Sequence, residues 1–424
     1  MNLSSALQLS NRQVQVQALG RFLIQISYGL LNFYIPILFV NQVGLSATAV
    51  GFALSLCAIT EVGGHFVGAT LADSPRFGRK VVLSLAAASG LVVALILIVA
   101  QSLWLLILAS MVLGLSLGCY WTASGAAVMD ATRSEDRSQA FAVMGVAEYL
   151  GIGLGVLGGS GLLALVNESP KLLFAGCGAM FTLFGLLIQI LMTNDYPSRS
   201  PQDKSGAGMI AALKDRALLV FMLANVFFTT YVALVSSTIP LYFTNFVAGN
   251  DPIPGVSVVG TAGLFTGCYI GVGAVLQLPT TSILAPLRRI FVLMGAMVLW
   301  AVGFALLWAA GTFAEGQFIW AIVALCVLSL ASVAYKPFFV ATVSDLAPPN
   351  LRATYVAVSS QCWTIGYFLG PLVGGWAMDQ SPIVAHRFWL VVAMSVSVCL
   401  ALLWAFEVLH TRTAIPSSEG EGAV

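Results

Sequence analysis

Twelve apolar runs, each long enough to cross a lipid bilayer, constrain this chain more than any other feature of its sequence. They lie near residues 17–40, 47–71, 81–101, 103–129, 138–166 and 172–193, and again near 217–246, 257–285, 290–312, 316–344, 353–378 and 386–407. A hydrocarbon core about 30 Å thick needs roughly 20 apolar residues per helix. Lipid offers no partner to a bare backbone amide, so runs of this length read as helices. The short alternating segments of a membrane β-barrel do not occur. Only 8% of the residues are charged, against about 25% in soluble domains, which removes the water-soluble classes. The expected fold class is an all-α polytopic membrane protein with twelve transmembrane helices.

A polar stretch rich in Pro, Ser and Gly breaks the pattern at its midpoint. The expected organisation is therefore a first six-helix bundle over 1–193, a linker over 194–216, a second bundle over 217–410 and a flexible tail over 411–424. Residues Met1 to Gln17 are polar and the first apolar run is too long for a cleaved leader, so no signal peptide is expected. With both termini on one side, fourteen of the 18 basic residues collect there, and only Lys171 and Arg387 fall on the other. Basic flanks favour the cytoplasm, so the linker and both termini are expected to be cytoplasmic. The net charge of +1 gives no reason to invoke nucleic acid. The seven cysteines stand singly in apolar runs, without the spacing of a metal site or a disulfide framework. No metal or cofactor is expected.

The two halves repeat. A slide of 215 residues sets Val128 and Asp130 on Val343 and Asp345, Arg137 on Arg352, Tyr120 on Tyr335, and Gly151, Gly155 and Gly159 on Gly366, Gly370 and Gly374. Near the start of each half, Ile35, Pro36 and Asn41 answer Ile239, Pro240 and Asn245 at a spacing of 204. Apolar helices match one another in leucine and valine by chance, but not in an Asp–Arg pair and three glycines in register. Parallel repeats of six helices are one known construction for transporters.

Between the second and third runs, Leu71-Ala72-Asp73 and Arg76-Phe77-Gly78-Arg79-Lys80 form a short charged turn. These residues resemble the loop 2–3 signature of the major facilitator superfamily of secondary transporters. Gly68 lies one residue early, and Ser74-Pro75 look like an insertion. The stretch Gly366 to Gly375 resembles the glycine/proline motif that the family's antiporters carry in helix 5, although here the intact copy lies in helix 11. The helix 5 copy has Val156 in place of the proline, and Ser110 stands where the helix 4 motif has an arginine before Gly114. The resemblance covers roughly residues 15–408. It implies the major facilitator fold of two pseudo-symmetric six-helix bundles, with helices 2, 5, 8 and 11 between the halves and helix 10 lining a central cavity.

Candidate residues follow. Small residues four apart let helices approach closely. Gly151, Gly155, Gly159, Gly366, Gly370 and Gly374 therefore read either as static packing or, as the resemblance favours, as a moving contact between the halves. Asp73, Arg76, Gly78, Arg79 and Lys80, with Asp130, Arg137, Asp345 and Arg352, are candidates for an ion-pair latch closing the cytoplasmic side. The alternative is plain topology charge, since exposed pairs contribute only about 0–1 kcal/mol each. Charges deep in a membrane helix are costly and point to function. Glu61, His65 and Glu148 are the candidate proton-coupling residues, with Glu61 and His65 one helical turn apart. A metal held by Glu61 and His65 lacks further ligands. Glu61 could also be a static partner of His65 or Arg21, and Arg21 could instead snorkel to the surface. Lys336, Tyr120, Trp121, Trp363 and Arg21 are the candidate substrate contacts, suited to an anionic or zwitterionic amphiphile.

The resemblance implies a monomeric transporter in a bacterial-style inner membrane, with a small-molecule substrate, the lipid bilayer as its surroundings and the proton gradient as driving force. Proton-coupled export of an amphiphilic compound is the first expectation, and uptake of a small organic anion or sugar the alternative. An enzyme is not expected: HExxH and phosphate-loop patterns are missing, and His65, His386 and His410 lie in separate regions. A transport-incompetent receptor or assembly factor is the remaining class, for which buried charges have no evident use.

Overall fold

The computed structural model describes residues 12–74, 76–132, 137–165, 170–193, 211–247, 258–313, 315–348 and 351–414. Each apolar run forms a helix. The first half carries α1 (Arg12–Asn41), α2 (Ala47–Ala72), α3 (Gly78–Val99), α4 (Leu103–Ala131), α5 (Arg137–Leu165) and α6 (Pro170–Leu191). In the second half, α7 (Arg216–Tyr242) continues into a π turn at Phe243–Val247, and α8 runs through Val258–Leu264, a π turn at Phe265–Gly271, and Val272–Leu284. The remaining helices are α9 (Arg289–Thr312), α10 (Gln317–Leu346), α11 (Arg352–Met378) and α12 (Pro382–Ala414). Among the described residues, ten of these helices are long and apolar enough to cross a membrane. The other two are α8, divided by its π turn, and α11, which carries the polar Ser359-Ser360-Gln361. No strand occurs among the described residues. The last helix extends to Ala414, into the stretch expected as tail. Residues 194–210 of the expected linker and 415–424 of the tail lie outside the described residues.

Local chemistry sets the helix starts. Ser46 caps α2, its hydroxyl accepting the Ala49 N–H at 3.2 Å, and so satisfies one of the helix's orphan donors. Gly78 opens α3 at φ 69°, a left-handed conformation that a side chain disfavours. This accounts for the glycine in the charged turn.

The chain divides into two compact units. One comprises Met1–Ser200 with Val232–Ala274 and Tyr367–His386, and the other Pro201–Tyr231 with Val275–Gly366 and Arg387–Val424. In the first unit, α2 and α4 meet along a seam of glycines. A Cβ on Gly64, Gly114 or Gly118 would collide with the backbone of Leu115, Cys57 or Glu61 respectively. In the second, aromatic rings fill the interior. Phe221 stacks on Phe339, Phe228 on Tyr335, and Phe304 on Trp389.

The glycines at 151, 155, 159, 366, 370 and 374 correct an expectation. They pack within their own halves. Gly151 sits on Phe22 and Gln25, Gly155 on Ile26 and Gly159 on Tyr34, which joins α5 to α1. Gly366 sits on Thr229, Gly370 on Ala233 and Gly374 on Thr238, which joins α11 to α7. The reason is steric: without a Cβ each glycine lets the neighbouring helix of its own half come into backbone contact. The matched contacts also confirm the repeat, because Tyr34 and Thr238 are 204 apart while Gly159 and Gly374 are 215 apart.

Candidate functional site

The α1–α5 seam positions the first charged group. Gly151 and Gly155 draw α5 onto α1 beside Gln25 and Ile26. One turn earlier on each helix, Arg21 and Glu148 are thereby within reach. Arg21 Nη1 lies 3.2 Å from Glu148 Oε2. The guanidinium also lies over the Trp121 ring, 4.2 Å from its centroid, and 5.3 Å from that of Tyr120. Arg21 is only 6% exposed, so it does not snorkel to the surface, and its described carboxylate partner is Glu148 rather than Glu61. Breaking such a pair from one side leaves a buried charge uncompensated, at about 3–5 kcal/mol. A cation over an aromatic face adds to the holding, more so when desolvated. The structure thus joins four sequence-selected residues, Arg21, Tyr120, Trp121 and Glu148, in one cluster.

The second group lies on the α2–α4 seam. His65 Nε2 is 3.8 Å from Glu61 Oε1, as their one-turn spacing predicts. His65 Nδ1 is 2.9 Å from Thr122 Oγ1, and that hydroxyl donates to the Gly118 carbonyl at 2.9 Å. The hydroxyl is therefore free to accept, which assigns the Nδ1 proton to the imidazole. His65 Nε2 then faces the Glu61 carboxyl with no proton of its own. Thr122 was not selected from the sequence. Only knowing that the Gly64 and Gly118 seam presses α2 against α4 would have pointed to it.

The charged turn forms a third cluster. Arg79, whose side chain is 8% exposed, pairs with Asp130 and lies 3.9 Å from Asp73, the C-cap of α2. Lys80 Nζ donates to the Met192 carbonyl at 2.9 Å, and Arg76 lies 5.7 Å from the Phe77 ring centroid. In the other unit Asp345 pairs with Arg289, and Glu407 with Arg288. The repeat thus reappears in an unexpected form: the aspartate ending α4 or α10 meets an arginine opening α3 or α9. The side chains of Arg137 and Arg352, the partners expected from the sequence, lie outside the described residues.

At the end of the first unit where α2 begins, sequence reading missed a fourth cluster. The Asp379 carboxylate accepts the Ala47 and Thr48 N–H groups, both at 2.7 Å, and the Thr48 hydroxyl. Asn41 and Asn245 exchange two hydrogen bonds at 2.9 and 3.0 Å. Ser55 donates to the Phe368 carbonyl at 2.6 Å. Gly51 meets the backbone of Pro371, and Gly375 meets Ala47. Here α2 and α11 touch backbone to backbone. The signal was a glycine on each helix, outside the 151–159 and 366–374 rows that drew notice.

In the second unit Lys336 Nζ sits 5.4 Å from the Trp363 ring centroid. Phe228 lies edge-on to Trp363 at 6.1 Å and stacks on Tyr335 at 4.1 Å. Among the described residues no group of His, Cys, Asp and Glu could hold a metal ion.

Comparison with known proteins places this geometry. A family model described as Major Facilitator Superfamily matches residues 18–266 and 255–423. A protein of Planococcus maritimus named Na(+), Li(+), K(+)/H(+) antiporter is 24% identical, over 95% of this chain and 98% of its own length. The multidrug resistance protein MdtH of Klebsiella pneumoniae is 25% identical, over 94% and 96%. The MdtH protein of Aeromonas hydrophila is 28% identical, over 88% and 89%. Among solved structures, the nucleoside transporter NupG aligns with a TM-score of 0.77 at 16% identity, covering 94% of this chain and 99% of that one. A bacterial homologue of human drug peptide transporters aligns at 0.76 with 18% identity, over 95% and 99%. Both structures share the fold.

Proposed function

The chain belongs to the Major Facilitator Superfamily of transporters, and on that premise we propose that it exports an amphiphilic small molecule across the cytoplasmic membrane in exchange for protons. The observation that carries the reading is the buried Arg21–Glu148 pair held against Trp121 and Tyr120. Charges inside a membrane helix are expensive and are retained where ions or substrates pass. Two of the relatives described above are named multidrug resistance proteins, which favours export over uptake of an organic anion or sugar.

In this reading Glu61 and His65 exchange the transported proton, with Thr122 fixing the imidazole. Glu148 is the second carboxylate: when it takes a proton, Arg21 loses its partner and becomes available to substrate. Lys336 and Trp363 are substrate contacts, and the Arg79–Asp130–Asp73 cluster holds the end of α2 against α3 and α4. The protein works as a monomer by alternating access, driven by the proton gradient, with both termini in the cytoplasm.

A second reading is exchange of a monovalent cation for protons. It is favoured by the Planococcus maritimus relative, which matches over 95% of the chain and is named for that exchange. Everted membrane vesicles carrying a pH gradient distinguish the two. Dissipation of the gradient on adding amphiphilic organic compounds, anionic and zwitterionic ones among them, but not on adding Na+, Li+ or K+, supports export of an amphiphile. The opposite pattern supports cation exchange. Loss of response to both overturns proton-coupled antiport.

A further inference from the structure

The internal repeat relates the Arg21 cluster to a second one of different chemistry. The spacing of 204 for the first helix of each half, and of 215 for the fourth and fifth, sets Arg21 on Asn225, Tyr120 on Tyr335, Trp121 on Lys336 and Glu148 on Trp363. The helix contacts validate both spacings, since Gly151 on Gln25 is answered by Gly366 on Thr229. In the first half a cation on α1 stacks on an aromatic ring of α4 and is neutralised by a carboxylate on α5. In the second half the cation, Lys336, has moved to α10 and its ring, Trp363, to α11. No acid occupies any of the four positions. Among the described residues no carboxylate pairs with Lys336.

The residue that replaces the arginine carries a second signal. Asn225 is 1% exposed, and apart from the neighbouring Cys362 thiol its amide meets no hydrogen-bond partner; the buried Tyr335 hydroxyl has none. Buried polar groups are nearly always satisfied, and an exception calls for a reason. Contacts run from Lys336 to Trp363, from Trp363 to Phe228 and from Phe228 to Tyr335. Thr229 donates to the Cys362 carbonyl at 2.8 Å and Cys362 Sγ donates to the Met222 carbonyl at 3.4 Å. The α7 face bearing Met222, Asn225 and Thr229 therefore lies on α11 next to Trp363. Phe228, three residues on from Asn225, touches both Trp363 and Tyr335.

We propose that Asn225, Tyr335, Lys336 and Trp363 form a subsite for an aromatic carboxylate. The ligand supplies the acid that Glu148 supplies in the first half. Its carboxylate takes the Lys336 ammonium, the Asn225 amide N–H and the Tyr335 hydroxyl as donors, and its ring packs on Trp363. The proposal rests on the reading of the chain as a transporter and names a substrate class for it.

The test uses purified full-length protein and four matched pairs: benzoate and benzamide, cinnamate and cinnamamide, 2-naphthoate and 2-naphthamide, and indole-3-acetate and indole-3-acetamide. Binding is measured by titration calorimetry. At least one carboxylate is expected to bind about tenfold or more tightly than its amide, the scale of a hydrogen bond to a charged group. Asn225→Asp, nearly identical in shape, places an internal acid in the cluster and is expected to abolish that preference while the amide still binds. Lys336→Gln is expected to do the same. Equal binding within every pair overturns the subsite, and so does a carboxylate preference that survives both variants. A wild-type protein with no carboxylate preference that still dissipates a pH gradient in vesicles overturns the subsite alone. Failure of the gradient assay is instead the failure of the transporter reading.

Discussion

Arg21 and Glu148 lie 3.2 Å apart because glycines one turn away let their two helices touch. Burial of the pair, its stacking on Trp121 and the close approach of α1 to α5 form one structural fact, and the consequences can be tested separately.

The seam itself is tested by glycine substitution. A Cβ at Gly155 would meet the Ile26 carbonyl and the Leu30 nitrogen, whereas one at Gly158 meets nothing within 4 Å. Gly155→Val is expected to destabilise by about 1–3 kcal/mol and to lower the unfolding temperature in detergent by several degrees. Gly158→Ala is expected to leave it unchanged. Equal melting of the two variants contradicts the seam.

Asp379 caps α2 from α11. An N-terminal cap contributes about 0.5–2 kcal/mol. Asp379→Ala is therefore expected to speed amide exchange in the peptide covering residues 45–52 by about 2- to 30-fold. Exchange at the wild-type rate would mean that the carboxylate does not hold the helix.

The two repeat-related ion pairs are expected to differ. Arg79 is 8% exposed at its side chain and bridges Asp130 and Asp73, whereas Arg289 is 43% exposed and its partner Asp345 64%. Replacing the buried arginine removes the cation that faces a partly buried carboxylate, so Arg79→Gln is expected to cost about 3 kcal/mol. Arg289→Gln is expected to cost under about 1 kcal/mol. Denaturation of both variants measures the difference, and equal losses would show that burial does not separate the two sites.

Much of this was legible before any coordinates. Lipid allows few backbone solutions, so the twelve runs determined the helices, and the repeat spacings of 204 and 215 recur as matched contacts such as Tyr34 on Gly159 and Thr238 on Gly374. Glu61 and His65 were readable as neighbours because a helix brings residues four apart onto one face. Partners on different helices were not. Thr122, Asp379 and the Arg79–Asp130 pair depend on which helix lies against which, and small residues on many faces leave that choice open. The glycines showed the same limit: their spacing announced close packing, while the partner helix could be assigned only from the contacts.

The central claim is that Glu61, with Glu148 as second carboxylate, carries the proton coupling. The most direct measurement compares wild type, Glu61→Gln and Glu148→Gln in everted vesicles. It follows dissipation of an imposed pH gradient on adding substrate across a pH series, with substrate binding measured in parallel. Glu61→Gln is expected to abolish the gradient response while substrate still binds and exchanges, and Glu148→Gln to weaken the response and alter its pH profile. Wild-type rates and an unaltered pH profile in both variants would contradict the account.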